Sequence, residues 1–309
     1  MISCSYPFKN NAISITIEVR CYQRRGGMQE FEKAPAKINL CLNVLGKRED
    51  GFHDMEMVMT TIDLADRLSF SMESEEITVD SNSSFMPLDE RNIVHKTAQL
   101  LKDTYNVQSG AAIFIEKTIP IAAGLGGGST DAAATLRALN RLWGLNLPLE
   151  ELADLGEKIG ADVPFCVYSQ TAYVTGKGER VNPIKPFPPS WVIAVKPPKG
   201  ISSWTVFKDL KVDELARYPI NKMVDAINKG DYKESIAYVG NALEGKAMKQ
   251  HPSIEIIKEK MLQFGADAAL MSGTGPTVFG LTQNYTKAKR ITNGLKGFCK
   301  EVYLIRSLK

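Results

Sequence analysis

"PIAAGLGGGSTDAAATL", residues 120–136, decides how the rest of the chain is read. Four glycines fall in the five positions 124–128 and run straight into an alanine-rich segment with helical spacing. A helix N-terminus leaves its first backbone N–H groups without partners and carries the positive end of the helix dipole. A phosphate satisfies both demands, and glycines let it approach the bare backbone. A flexible strand-to-helix turn needs only one or two glycines, so four favour an anion cradle.

Several motifs use this device. A Walker A loop requires Gly-Lys-Ser/Thr, whereas Ser129 follows Gly128 with no lysine between them. A dinucleotide fingerprint asks for a third glycine where Ser129 stands, and for a strand-end acid beyond the helix. The His-Arg-Asp and Asp-Phe-Gly strings of protein kinases do not occur. The loop by itself therefore leaves its ligand open.

Upstream of the loop, "AAIFIEKTIP" reads as the strand that delivers the chain into it. Downstream, Ser129 to Leu142 is predicted to be a helix packed through Ala133, Leu136, Leu139 and Leu142. "NLPLEELADLGEKIG" is a second helix, opened by Pro148 and closed by Gly160. Nearer the N-terminus, "EKAPAKINLCLNVL" alternates so that Ile38, Leu40, Leu42 and Val44 share one strand face, leaving Lys37, Asn39 and Asn43 on the other. "MEMVMTTIDLADRLSF" is expected to form two strands joined near Asp63 to Asp66, and residues 89–105 a helix. "NPIKPFPPSW" carries four prolines in the seven positions 183–189, a composition suited to a stiff crossing between domains. The expected division is a leader at 1–27, an N-terminal domain at 28–183 and a C-terminal domain at 184–309, with helices around 221–229 and 253–264 in the latter. The fold class is α+β, without internal repeats or heptads.

Composition bounds the function. At 309 residues, with 44% hydrophobic and 24% charged residues, the chain is of globular type. A net charge of +3 from scattered lysines and arginines argues against a nucleic-acid partner. No apolar run approaches the ~20 residues of a membrane span. Cys4, Cys21, Cys41, Cys166 and Cys299 contain no C-x-x-C pair, so a reducing, cytoplasmic location is expected. "RRGG" at 24–27, before Met28, is what a purine-rich ribosome-binding site gives when translated, which makes Met28 the expected start; an additional edge strand formed by "NAISITIEV" is the alternative. Oligomeric state is left open.

Four blocks far apart in sequence carry a resemblance: "APAKINL" at 34–40, the glycine loop at 120–134, "GADVPF" at 160–165 and "SGTGPTVFG" at 272–280. Together they resemble the GHMP family of small-molecule kinases. The resemblance runs from about Glu32 to the C-terminus, and it implies a two-domain fold, an N-terminal nucleotide-binding domain followed by a C-terminal α/β sandwich. It also implies ATP as phosphoryl donor with Mg²⁺ as its counter-ion.

On this resemblance the ATP phosphates are expected on Pro120, Ala122, Gly124, Leu125, Gly126, Gly127 and Gly128, with hydroxyls from Ser129 and Thr130. Gly273 and Thr274 would approach from the second domain; a tight hairpin turn is the plain reading of the same residues and is compatible with that role. In isolation Asp162 reads as a helix cap and Lys37 as a solvated strand lysine. The resemblance makes Asp162 the general base and Lys37 its neighbour, offsetting charge on the migrating phosphoryl group. "GFHDMEMVMTTIDLAD" at 51–66 adds a likeness to family members that act on a cytidyl-diphosphate alcohol, phosphorylating its 2-hydroxyl during isoprenoid precursor synthesis. A cytosine ring needs an aromatic platform and a group that both gives and takes hydrogen bonds. Phe52 and His53 supply that pair, Phe207 a second aromatic wall, and Asn39 a further substrate contact. The alternatives kept beside this are another kinase of the family, on a mevalonate, homoserine or sugar substrate, and a nucleotide-binding regulator without catalysis.

Overall fold

The computed structural model describes residues 28–308; the expected leader at 1–27 and the alternative edge strand "NAISITIEV" lie outside the described residues. Two long antiparallel strands, β1 (Gln29–Lys47) and β2 (His53–Glu73), form the spine of the first sheet. β3 (Ile77–Ser81) leads through α1 (Ile93–Thr104) to β4 (Gly110–Glu116), which pairs with both β2 and β3. Then come three helices, α2 (Gly127–Leu142), α3 (Leu149–Glu157) and α4 (Val163–Tyr168). The hairpin of β5 (Ala172–Gly176) and β6 (Arg180–Pro183) returns to the first sheet, where β5 pairs with β2.

The proline-rich stretch then carries the chain to β7 (Trp191–Lys196), the first strand of a four-stranded sheet. Phe187, within the crossing, is fully buried, and its N–H donates to the Thr171 hydroxyl at 3.0 Å, so the crossing is anchored to the first sheet. Next follow α5 (Ser203–Phe207), α6 (Ile220–Lys229), α7 (Tyr232–Ala237) and the short β8 (Gly240–Asn241). α8 (Glu244–Gln250) and α9 (Ser253–Gln263) precede β9 (Ala268–Met271) and β10 (Val278–Thr282); α10 (Tyr285–Lys296) and β11 (Glu301–Arg306) complete the chain. The second sheet runs β11-β7-β10-β9. β8 does not join it but pairs in parallel with β1, Cys41 opposite Gly240 and Leu42 opposite Asn241. The mixture of helices and two sheets agrees with the α+β expectation.

Two local readings are corrected. The stretch expected to turn near Asp63 to Asp66 is one continuous strand. The aspartates that looked like turn residues are absorbed by ion pairs, Asp63 with Lys33 on the outside and Asp66 with Lys117 in the interior. Strict alternation along β1 also fails, because the β1–β2 register shifts between Asn39 and Cys41. One extra residue flips the side chains that follow, as far as the next shift after Val44, to the other face. Ile38 and Leu40 consequently enter one core cluster while Leu42 and Val44 enter the other. Asn43 leaves the side of Lys37 and exchanges two 2.9 Å hydrogen bonds with the backbone of Tyr218.

Candidate active site

The glycine loop turns before it becomes a helix. Ala122, Gly124 and Gly126 all have positive φ, +53°, +73° and +71°, and Gly126 is the N-cap of α2. The first helical hydrogen bond, Thr130 N–H to the Gly126 carbonyl, spans 2.8 Å. The amides of Gly127, Gly128 and Ser129 precede it and fall among those a helix leaves free. Gly124, Gly126 and Ser129 line a cleft of about 620 Å³.

Lys37 lies directly beneath this turn. Its N–H donates to the Leu125 carbonyl at 3.0 Å, and a Cβ on Gly126 would come within 2.8 Å of its Cγ. The ammonium donates to Asn39 Oδ1 at 2.8 Å and stands 3.3 Å from Asp162 Oδ2. The Lys37 side chain is 5% exposed and that of Asp162 31%, so the lysine forms the floor and the carboxylate opens into the cleft. Asp162 caps α4 in position only: its side chain makes no capping hydrogen bond. A carboxylate released from that duty is available to a ligand.

The opposite wall is the turn after β9. Ser272 Oγ donates to the Gly124 carbonyl at 3.0 Å, and Thr277 N–H donates to the Ala123 carbonyl at 3.3 Å. Gly273, at φ +56°, brings its backbone close enough that a Cβ would lie 3.2 Å from both Lys37 Nζ and Asn39 Oδ1. Thr274 shares a 2.9 Å hydrogen bond with Ser203 at the start of α5. Residues from 37, 124, 162 and 273 thus meet at one place.

At the far end, the His53 and Phe207 rings stack at 5.0 Å between centroids with 26° between planes. Burial holds the His53 imidazole below its ordinary pKa, with Lys47 and Lys246 adding to the effect. Phe52 is 55% exposed and carries Lys177 over its ring at 5.6 Å, so Phe207 faces His53 rather than Phe52. Asn39, Phe52, His53, Phe207, Gly273 and Thr274 all line the cleft. Other loop residues point elsewhere. Leu125 and the Thr130 hydroxyl are sealed inside, Gly128 faces Ile93, and Pro120 and Ala122 do not line the cleft.

Sequence reading missed Asn241. Its side-chain N–H₂ donates to the carbonyls of Met271 and Gly273 at 2.9 and 2.7 Å while its backbone pairs with Leu42 on β1. It joins the strand of Lys37 to the turn of Gly273; nothing in "VGNALEG" signals that duty. Cys41 and Cys166 are buried thiols that burial pushes up to about 12, which removes them as nucleophiles.

Among the described residues no helix is long and apolar enough to cross a membrane. The model of the GHMP kinases N terminal domain matches residues 92–170, and that of the GHMP kinases C terminal matches 223–301. A 4-diphosphocytidyl-2-C-methyl-D-erythritol kinase of Bacillus cereus (strain B4264) is 54% identical over 282 residues, covering 91% of this chain and 98% of the relative. One of Geobacillus sp. (strain WCH70) is also 54% identical with the same coverage. The solved structure of a 4-(cytidine 5'-diphospho)-2C-methyl-D-erythritol kinase superposes with a TM-score of 0.75 at 29% identity, over 91% of this chain and 100% of the other. Homoserine kinase from Cytophaga hutchinsonii shares the fold, with a TM-score of 0.72 at 19% identity over 92% and 96%. A glycine turn seated on a buried lysine, two matching family models and close relatives along almost their whole length lead to one conclusion: the chain belongs to the GHMP kinase family.

Proposed function

We propose that the chain is an ATP-dependent kinase that phosphorylates the 2-hydroxyl of 4-diphosphocytidyl-2-C-methyl-D-erythritol, releasing ADP, in non-mevalonate isoprenoid precursor synthesis. The observation that carries the reading is the 3.3 Å approach of Lys37 Nζ to Asp162 Oδ2 beneath a turn whose Gly124, Gly126 and Ser129 line the same cleft. Phosphoryl transfer asks little covalent chemistry of a protein and much positioning. ATP, when bound, supplies the transferable phosphoryl group, and Mg²⁺ neutralises its oxygens.

The free amides of Gly127, Gly128 and Ser129 hold an anion without a side chain in the way. Asp162, partly exposed in the cleft, takes the proton of the acceptor hydroxyl. Lys37 is fixed by Asn39 and by the loop, and its charge offsets that of the carboxylate and of the migrating group. His53 and Phe207 read the cytosine, with Asn39 a further substrate contact.

Bare amides fit a polyphosphate. Among the described residues no group of three or more His, Cys, Asp or Glu forms a cage for a metal ion. That suits Mg²⁺ carried mainly by phosphates, with the Ser129 hydroxyl as an oxygen donor lining the cleft. Free thiols at Cys41, Cys166 and Cys299 support the cytoplasmic reading.

The test is a panel of acceptors incubated with ATP and Mg²⁺, or with ATP and a chelator, scored by product mass. The cytidyl substrate should gain one phosphate only with Mg²⁺ present. Phosphorylation of mevalonate or homoserine instead would reassign the substrate, and no ADP from any acceptor would leave a nucleotide-binding regulator.

A further inference from the structure

Behind the loop lies a set of charges that the proposed chemistry leaves unused. Asp66 on β2, Lys117 just after β4 and Asp131, the fifth residue of α2, meet in the interior. Both aspartate side chains are fully buried and that of Lys117 is 8% exposed. Lys117 Nζ donates to Asp66 Oδ2 at 2.5 Å and to Asp131 Oδ2 at 2.7 Å. The second oxygen of Asp66 accepts the N–H groups of Thr118 and Ile119 at 2.6 and 2.8 Å. Asp131 Oδ1 is buried without a partner.

Two carboxylates sharing one ammonium out of water are poor at stabilising a fold; apolar residues of the same shape often do as well or better. The position of the group is more informative. It grips the chain where the nucleotide loop begins, at 117–119, and where it has become helix, at 131. Between these points the loop folds over the ammonium: a Cβ on Gly127 would lie 3.4 Å from Lys117 Nζ and 3.2 Å from Ile119 Cγ2.

We propose that Asp66 and Asp131 are positioning residues for nucleotide binding, which through Lys117 fix both ends of the 118–130 loop so that its free amides converge before the nucleotide arrives. The inference rests on the reading of that loop as the phosphate site. Neither aspartate touches the nucleotide in this scheme; each acts through backbone it restrains, and a restrained site loses less freedom on binding. Burial pushes the Asp131 carboxyl well above the ordinary carboxylate range against the pull of Lys117, with Asp66 adding to the rise. An amide of the same shape keeps an oxygen to accept from Lys117 Nζ where Asp131 Oδ2 does at 2.7 Å, and is a conservative replacement.

The experiment measures ATP affinity by calorimetry, the KM of each substrate and the unfolding temperature for the full chain carrying Asp131→Leu, Asp131→Asn or Lys117→Met. Asp131→Leu and Lys117→Met should weaken ATP binding about tenfold or more while the KM of the cytidyl substrate stays within about twofold. Asp131→Asn should restore ATP binding to within about threefold of the parent chain. If the leucine variant does not fold, the methionine variant carries the test alone. Unchanged ATP affinity in a folded variant, or equal loss for both substrates, overturns the proposal. A parent chain that binds no ATP would instead dismiss the phosphate loop itself.

Discussion

Replacing Gly124 by alanine tests how the glycine turn is held against the second sheet. Gly124 has φ +73°, a conformation that costs an L-residue about 1–2 kcal/mol. Its Cβ would also arrive 2.7 Å from two carbonyl oxygens, those of Ser272 and Gly275. These are backbone atoms, and they cannot drift away cheaply. Ser272 Oγ holds the Gly124 carbonyl at 3.0 Å, Thr277 N–H holds Ala123 at 3.3 Å, and Ser272 and Gly275 are tied within their own turn. Overpacking of this kind adds about 1–3 kcal/mol, so Gly124→Ala should destabilise the chain by about 2–5 kcal/mol in all. At roughly 2–4 °C per kcal/mol the unfolding temperature should fall by roughly 4–20 °C. Gly144→Ala is the comparison: φ is +65° there, but nothing lies within 4 Å, so only the backbone cost applies. Calorimetric unfolding of both variants separates the two contributions, and the KM of ATP should rise for Gly124→Ala alone. If the two variants unfold within a degree of each other and ATP KM is unaltered, the packing account of the turn is wrong.

Asp162→Asn and Lys37→Met should each lower turnover by about 10²–10⁴, measured as ADP release with saturating substrates. Methionine keeps the stem that packs under Gly126, so a variant with parental turnover would exclude the Lys37 ammonium from the chemistry. Phe207→Ala should raise the KM of the cytidyl substrate by the equivalent of about 1–3 kcal/mol, the worth of a stacked base, and leave that of ATP unchanged; a parallel rise in both counts against the stack as a base reader. His53 makes stability depend on pH. Its pKa is depressed from 6.5 in the folded chain, so below that pH the unfolded chain binds more protons and stability falls as pH drops through 6.5 towards the folded value. Urea midpoints between about pH 7.5 and 5.5 should decline more steeply for the parent than for His53→Gln, and equal slopes would remove the histidine from the account.

The legible parts of this molecule are those written in adjacent residues. The glycine run and the alanine-rich helix behind it marked a backbone-exposing turn at a helix start, because backbone exposure and helix propensity are local properties. The apolar steps of Ala133, Leu136, Leu139 and Leu142 marked a buried helix face, and all four are buried in α2. The bulge after Asn39 was not legible, since a register shift belongs to a pair of strands and each strand alone still alternates. Asp66 failed for the opposite reason. Beside Asp63 it has turn composition, and only Lys117, in another strand's exit, reveals why a buried strand tolerates it.

The contacts that make a site out of these pieces are long-range, and one side chain collects most of them. Through its backbone N–H, Lys37 holds the Leu125 carbonyl; its stem fills the space under Gly126; its ammonium meets Asn39 and Asp162. A displacement of the glycine turn is therefore transmitted to the group facing the carboxylate within a single residue. Gly273 closes the same arrangement from the other side, lying too near Lys37 Nζ and Asn39 Oδ1 for a side chain to fit without displacing them. Because Asn241 ties the Gly273 carbonyl to the strand that follows Asn39, the two walls of the cleft share one reference, β1. The register shift in β1 contributes directly to this. It leaves Lys37 and Asn39 facing the cleft while sending Asn43 to fasten the Tyr218 backbone, so one strand supplies both the floor of the site and the anchor of the segment beyond α5.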